Sequence, residues 1–283
     1  MMRRIVPLLG LLSMTACYEG TLAVKITDGP FPATEDCLSK ALVTVSSVSF
    51  KGEDGFVALP LVADAAAPME LDLLVLRSGI ADDLAAGDLP TGVYDEMRIV
   101  ISGATLQFAD GTSKEFKVPS GQSSGIKVKI DPAILIAARQ TTPLLLDVDL
   151  SRSFHVTGHG GAPTCEDLKD DKGKVIFHPV IRAINPDTTG VLAGTVVDET
   201  GTGVGDVELA VFAAGTVVEA GMEPLAATFS APEGLANVAL GSYALHLDPG
   251  NYDLYVMPQG AEAYAKAIEG VVISEGALLA DQN

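Results

Sequence analysis

Residues 41–50 read ALVTVSSVSF, and this stretch decides the fold class. Apolar residues alternate with small or β-branched ones until Ser46 and Ser47, where the alternation is broken. A period of two places successive side chains on opposite faces of a strand, and an extra residue in such a strand forms a β-bulge. The stretch therefore predicts a half-buried β-strand with a bulge at the two serines.

The same short pattern recurs along the chain between clusters of Gly, Pro and Asp, which is typical of strands joined by turns. Further strands are expected at residues 21–27, 69–76, 96–102, 126–130, 144–151, 175–184, 191–198, 207–214, 242–247, 252–257 and 270–275. One segment, residues 78–87, predicts a short helix with Ser78 as its N-cap and Ile80 and Leu84 one turn apart. We therefore expect an all-β protein of two antiparallel β-sandwiches in tandem, with one short helix in the first.

A composition change marks the boundary between the two expected sandwiches at residues 185–190, NPDTTG. The first sandwich is predicted at residues 21–187 and the second at 190–283, which holds 13 acidic residues and a single basic one, Lys266. The whole chain has a formal net charge of −19. Because phosphate backbones are bound by Lys and Arg, this charge argues against a nucleic-acid partner.

The N-terminus has the composition of a secretory signal peptide. Residues 1–16 carry two arginines, a short apolar stretch at residues 5–12 and small residues before Cys17. Cys17 in this place resembles the bacterial lipobox, which implies an acylated Cys17 and a lipidated tether at residues 17–20. Tyr18 is not the Asp that resembles an inner-membrane retention signal, so we expect anchoring in the outer membrane of a Gram-negative bacterium. The alternative is ordinary signal cleavage nearby, with Cys17 left as a free thiol.

Two cysteines follow the signal segment, Cys37 and Cys165. In an oxidising cell envelope an even pair predicts a disulfide bond, and two unpaired thiols are the alternative.

Two tyrosines share a local pattern, GVYD at residues 92–95 and GNYD at residues 250–253. Each follows a turn and precedes a strand. A tyrosine in this position can bury its ring while its hydroxyl bonds nearby backbone, as in a tyrosine corner, so we assign both a structural role. Sugar stacking on one exposed tyrosine is the alternative.

None of the candidate chemical motifs in the sequence is complete. Residues 121–125 match G-x-S-x-G, but the serine lies between two strand-like segments and not in a strand-to-helix turn. His155, His159 and His178 bracket Cys165 and could converge on a metal, although loop histidines are frequently only solvated. The acidic residues lack the EF-hand spacing, and Asp147 and Asp149 fit a half-solvated strand face. The acidic residues considered for a calcium site, which lack the EF-hand spacing, are Asp82, Asp83, Asp88, Asp167, Asp170 and Asp171. We therefore expect no catalytic, cofactor-binding or metal-binding residues.

Residues 21 to about 187 resemble the secreted bacterial domain-of-unknown-function family 4382. The resemblance is carried by the segments at residues 26–30, 71–101, 118–130 and 178–184, in the order the family has them. Residues 190 to about 280 resemble the carboxypeptidase regulatory-like, transthyretin-type sandwich through residues 194–209 and 241–258. Neither resemblance implies catalysis, and fold analogy alone does not supply a function.

Three classes of function follow. The first is a non-catalytic, lipid-anchored envelope protein that acts as a binding, adhesion or spacer module, with the bilayer and an unknown envelope protein or extracellular glycan as partners. The second is a carbohydrate-binding accessory lipoprotein, which the absence of Trp disfavours because sugar faces commonly pack on aromatic rings. The third is an enzyme of unknown class, for which no complete constellation of catalytic residues was found.

Overall fold

The description of the fold rests on a computed structural model. It describes residues 18–28, 37–63, 68–118, 125–156, 164–170, 175–219, 222–235, 237–257 and 263–282. The signal segment, Cys17, the serine motif at residues 121–124, His159 and Asp171 lie outside these residues.

The described chain is built almost entirely of β-strands, which confirms the all-β class. Strands β1–β12 form an N-terminal β unit: Glu19–Asp28, Leu38–Gly52, Gly55–Leu59, Met69–Asp72, Asp82–Pro90, Gly92–Phe108, Ser113–Phe116, Ile126–Ile136, Thr141–Asp149, Phe154–Val156, Val175–Phe177 and Val180–Ile184. Strands β13–β19 form a C-terminal β unit: Gly190–Thr195, Glu208–Ala213, Ala226–Phe229, Ser242–Leu247, Gly250–Met257, Ala265–Ile273 and Leu278–Gln282. The short helices α1 (Leu150–Ser153) and α2 (Cys165–Lys169) lie in the first unit.

The alternation of the sequence sets the two faces of the strands. In β1, Leu22, Val24 and Ile26 are buried in the core, and the residues between them face outward. In β2, the pairing with β6 shifts between Val45 and Ser47, which confirms the predicted bulge. The hydroxyl of the extra residue, Ser46, lies 2.7 Å from that of Ser102 on β6.

The sheet of the N-terminal unit wraps around one hydrophobic core. Its strand order is β3-β2-β6-β8-β12-β9-β1-β5. Just beyond β3, Leu61 forms a bridge with Ala85 of β5, so the two ends of the sheet meet. The unit is thus a sandwich-like, nearly closed β-fold.

The strands are not all antiparallel, and this differs from the prediction. The β1–β9, β8–β12 and β13–β19 pairs are parallel. Hydrophobic alternation specifies which face of a strand is buried and carries no information on which distant strand becomes its neighbour. The remaining pairings are antiparallel.

The helix predicted at residues 78–87 is wrong. Ser78 and Gly79 have left-handed backbone angles, φ +60° and +85°, and form a turn, so Ser78 is not an N-cap. From Asp82 the chain is strand β5, which pairs with β1 and buries Leu84 completely. Helix propensity is a weak preference, and pairing along β1 overrides it here.

The C-terminal unit has two sheets that face one another, β16-β13-β19 and β15-β14-β17-β18. Its main core is separate from that of the first unit and is drawn from both sheets, including Leu192, Leu209, Val211, Leu254 and Ile273. The turn at Asn185–Thr188 joins the units, where the Asn185 side chain accepts a hydrogen bond from the Asp187 main-chain NH at 3.0 Å. Within the described segments, no helix is both long and apolar enough to cross a bilayer.

Candidate functional site

A cleft of about 480 Å³ lies between the two units. Its floor is the outer face of strands β1, β9 and β12, and its opposite wall is built by β15 and β16. Most of its lining is small or aliphatic: Ala23, Thr27, Gly79, Ala81, Pro143, Leu145, Ile184, Ala227, Thr228 and Ala244. A volume of this size is in the range of small-molecule sites.

One ion pair stands out in this cleft. Arg182 of β12 is the direct cross-strand partner of Asp147 of β9, so the register brings their side chains together. The guanidinium Nη2 of Arg182 donates to Asp147 Oδ2 at 3.3 Å and to the main-chain carbonyl of His246 at 3.2 Å. Since His246 belongs to β16, Arg182 connects the two units.

The neighbouring unit changes the electrostatics of these groups. Burial raises the pKa of Asp147, and the positive charge of Arg182 opposes this rise. Burial also lowers the pKa of His246, and Arg182 lowers it further, so the imidazole is neutral at neutral pH. Asp147 and Asp149 lie on the partly solvated face of β9, as the alternation predicts, with 23 % and 22 % of their side chains exposed. The sequence did not indicate that β16 of the C-terminal unit reaches this face through the His246 carbonyl.

One end of the cleft is closed by contacts between the units. The hydroxyl of Ser78 donates to the carbonyl of Phe229 at 2.9 Å in a buried position. Arg77 forms a 3.0 Å ion pair with Asp206. A Cβ atom on Gly79 would lie 2.9 Å from the side chain of Ala244, so glycine allows the units to approach this closely.

The chemistry available in the cleft is recognition by hydrogen bonds. Arg182 and Lys25 supply cationic donors, Asp147 supplies an acceptor, and the aliphatic residues of the lining supply apolar contact. The hydroxyl of Thr27 is engaged with the carbonyls of Leu76 and Ile80, both at 2.7 Å. The described lining contains no Ser, Cys, Phe, Tyr or Trp, and therefore neither a serine or cysteine nucleophile nor a stacking platform for a sugar.

The predicted disulfide is confirmed. Cys37, directly before β2, is bonded to Cys165, the first residue of α2, with Cα atoms 6.0 Å apart. The Thr164 hydroxyl and the Asp167 carboxylate form a reciprocal capping box at the start of α2, which fixes the helix that carries Cys165.

The hydrogen bonds predicted for the two tyrosine corners are also confirmed. The Tyr94 hydroxyl donates to the Pro90 carbonyl at 2.9 Å, and the Tyr252 hydroxyl donates to the Asp248 carbonyl at 2.8 Å. Each bond spans four residues and ties the strand to the turn before it. The Tyr94 ring is buried against Phe50 in an edge-on arrangement.

The histidines and acidic residues are dispersed. His155 and His178 are exposed, and the described residues contain no group of three or more His, Cys, Asp or Glu side chains that could hold a metal. Asp83 is paired with Lys25 at 2.6 Å, and Asp88 accepts a hydrogen bond from Thr21 at 2.7 Å. These carboxylates therefore support pairing between strands.

Comparison with known proteins gives one family. The family described as "Domain of unknown function (DUF4382)" matches residues 19–163, about half of the chain. The chain belongs to the DUF4382 family. The DUF4382 match ends before strand β12, although β12 completes the same sheet and carries Arg182.

None of the curated proteins matches the sequence. Among solved structures, the Bacillus anthracis TIE protein is 12 % identical with a TM-score of 0.25, over 93 % of this chain and 50 % of that one. A leucine-rich repeat protein from Bacteroides thetaiotaomicron is 12 % identical with a TM-score of 0.19, over 93 % and 26 %. BcpA, the major pilin subunit of Bacillus cereus, is 10 % identical with a TM-score of 0.19, over 94 % and 100 %. The chain thus spans half or less of the first two, and at these TM-scores the structures carry no argument about this DUF4382 protein.

Sequence reasoning missed the cleft residues Arg182 and His246. The one available signal was that Arg182 is the only charged residue in the strand sequence VIRAI. An isolated arginine in such a strand is ordinarily interpreted as facing solvent. That Arg182 meets a second β unit depends on the packing of segments some 64 residues apart.

Proposed function

We propose that the protein is a non-catalytic, lipid-anchored module of the bacterial cell envelope that binds an envelope partner at the cleft between its two units. The observation that carries the proposal is the use of the three cysteines. Cys37 and Cys165 are consumed by the disulfide, which leaves Cys17 alone behind the signal-like segment. Disulfides persist in oxidising compartments, so the bond supports export of the chain.

The proposed organisation has a signal peptide at residues 1–16, a tether at 17–20, a first domain at 21–187 and a second at 190–283. For the second domain we propose a carboxypeptidase regulatory-like, transthyretin-type sandwich. Its seven strands in two facing sheets around a separate core support this assignment. A regulatory-like module is an accessory to other components, which agrees with a binding or spacer role.

The anchor is tested by Cys17→Ser in the full chain expressed in a Gram-negative bacterium. We expect the wild type in the outer-membrane fraction, with diacylglycerol on the Cys17 thiol in the mass spectrum of its N-terminal peptide. The variant is expected to lose the lipid and to leave that fraction, because stable anchoring takes two membrane-binding signals and the serine in place of Cys17 carries no acyl chain. Wild-type protein with an unmodified Cys17 would contradict the anchor.

The cleft is tested by filling it. Ala227→Leu adds volume to the cleft wall, while Ala58→Leu makes the same change on exposed strand β3 and serves as the matched control. The probes are an array of bacterial and extracellular glycans and a detergent extract of the envelope. A binding partner recovered with wild type and Ala58→Leu, and lost with Ala227→Leu, is the expected result.

The glycan array separates the leading proposal from the carbohydrate-binding one. Saturable binding to one glycan class, abolished by Ala227→Leu, would favour the accessory carbohydrate-binding role. Because the described lining lacks Phe, Tyr and Trp, we rank that role second. Equal binding by all three proteins would contradict the cleft as the binding site.

A further inference from the structure

One end of the N-terminal unit exposes three large apolar side chains. Tyr18, Val93 and Leu135 are 58 %, 64 % and 63 % exposed, respectively. Single exposed apolar residues are common and carry no meaning by themselves, so the position of these three relative to one another decides their significance.

The three residues converge on the same end of the sheet. Val93 on β6 is the direct partner of Leu135 on β8, and opposite residues on antiparallel strands have Cβ atoms about 5 Å apart. The Tyr18 carbonyl accepts a hydrogen bond at 2.9 Å from the main-chain NH of Thr91. Because Thr91 lies two residues before Val93, this bond holds Tyr18 at the same end of the sheet. We call Tyr18, Val93 and Leu135 the apolar tip.

The apolar tip lies where the chain enters from Cys17. Strand β1 begins at Glu19, whose carbonyl accepts a hydrogen bond from the Arg139 main-chain NH at 2.9 Å. Tyr18 is thus the only residue between Cys17 and the sheet. One residue spans at most about 3.6 Å, so a lipid on Cys17 would bring this end of the unit to the headgroup region.

The charges around the tip are mixed in sign. Glu19 and Asp95 are exposed carboxylates, and Arg139 is an exposed cation. This balance gives no basic patch for anionic lipid, and the chain as a whole is strongly acidic. The surface chemistry therefore fits the apolar part of the interface, where a tyrosine ring is also favoured.

We propose that the apolar tip seats in the bilayer interface, so that the N-terminal unit stands on the membrane and does not swing on a tether. This rests on the proposed acylation of Cys17. The opposite end of β1 would then point away from the lipid. Val75 lies at that end, because the hydroxyl of Thr27 in β1 donates a hydrogen bond to the carbonyl of the next residue, Leu76. Ten strand residues at about 3.4 Å each separate the two ends by roughly 30 Å.

The absence of Trp from the chain provides a clean optical test. Val93→Trp and Leu135→Trp place a single indole in the tip, and Val75→Trp places one at the far end, where Val75 is 47 % exposed. Each full-length lipoprotein is reconstituted into phosphatidylcholine vesicles with brominated acyl chains, and into vesicles that also contain phosphatidylglycerol. Two tip variants are used so that, if one of them folds poorly, the other still reports the position of the tip.

We expect the tip indoles to lose about half of their emission to brominated lipid, since interfacial residues reach about 5–10 Å into the headgroup and acyl boundary. The indole at position 75 should keep its emission, and anionic lipid should not change either result. Equal quenching at both ends, or none at the tip in vesicle-bound protein, would overturn the proposal.

A second arm separates this proposal from the acylation itself. The mature chain, residues 17–283, is coupled through Cys17, its one cysteine outside the disulfide, to a maleimide-headgroup lipid in the same vesicles. Quenching restricted to the tip in this arm supports seating even if native Cys17 proves unmodified. Failure in this arm with native acylation present refutes seating and leaves the anchor standing.

Discussion

Removal of the Cys37–Cys165 disulfide is predicted to destabilise the N-terminal unit strongly. The perturbation is the double variant Cys37→Ala and Cys165→Ala. The bond joins residues separated by 128 positions, and closing a loop of that length restricts the unfolded chain by about 5 kcal/mol at 25 °C in the loop-entropy model. Because a domain's net stability is commonly about 5–15 kcal/mol, the loss is a large fraction of the total.

The assay is urea unfolding followed by circular dichroism, with free energies from linear extrapolation. Oxidised wild type, reduced wild type and the double variant are compared. We expect the reduced wild type and the double variant to have the same free energy of unfolding, about 3–5 kcal/mol below that of the oxidised wild type. Hydrogen exchange provides the control, because both cysteines precede the C-terminal unit and its strand β14 should keep its protection. A loss below about 1 kcal/mol would refute the reasoning that the bond restrains a long loop.

Three further predictions follow from individual contacts. Tyr94→Phe should cost about 1 kcal/mol in urea unfolding, since it removes the hydroxyl bond to the carbonyl four residues earlier; unchanged stability would contradict the corner. Asp253 is fully buried, and its bonds to a lysine and two main-chain NH groups lower its pKa to about 2. Its contribution is therefore complete above about pH 4 and lost as the pH falls toward about 2, so Asp253→Asn should destabilise at pH 7 and flatten the acid dependence of unfolding. Gly79→Ala should lower the thermal midpoint more than Gly111→Ala, because both have φ +85° and only the former would place a Cβ against Ala244; equal shifts would contradict close packing of the units.

The sequence was informative where local pattern determines structure. Alternation in residues 41–50 predicted strand β2, its buried face and the bulge at Ser46. The tyrosine corner depends on a turn and a residue four positions later, so it is readable locally. The disulfide followed from cysteine parity and compartment, and needed no knowledge of the fold.

Errors arose where distant strands decide the outcome. Residues 82–87 have helix-compatible composition, yet they pair with β1, a strand more than 50 residues earlier. The parallel pairing of β1 with β9 joins segments about 120 residues apart and leaves no local trace. Strands β3, β7, β10, β15 and β19 are short or weakly patterned and were not predicted.

The candidate site was missed for a related reason. Asp147 belongs to an outward-facing position of β9, and outward positions of a strand are ordinarily solvated. The C-terminal unit packs against this face, so Asp147 lines a cleft, and burial raises the pKa of its carboxyl group. No periodicity in the sequence encodes which strand face a second unit covers.

The central claim, that this DUF4382 protein is held in the envelope through Cys17, is tested most directly by one mass measurement. The N-terminal peptide of the mature protein is isolated from the outer-membrane fraction of cells that express the full chain. The account predicts a peptide that begins at Cys17 and carries a thioether-linked diacylglycerol. A peptide with a free Cys17 thiol, or one that begins at another residue, would contradict it.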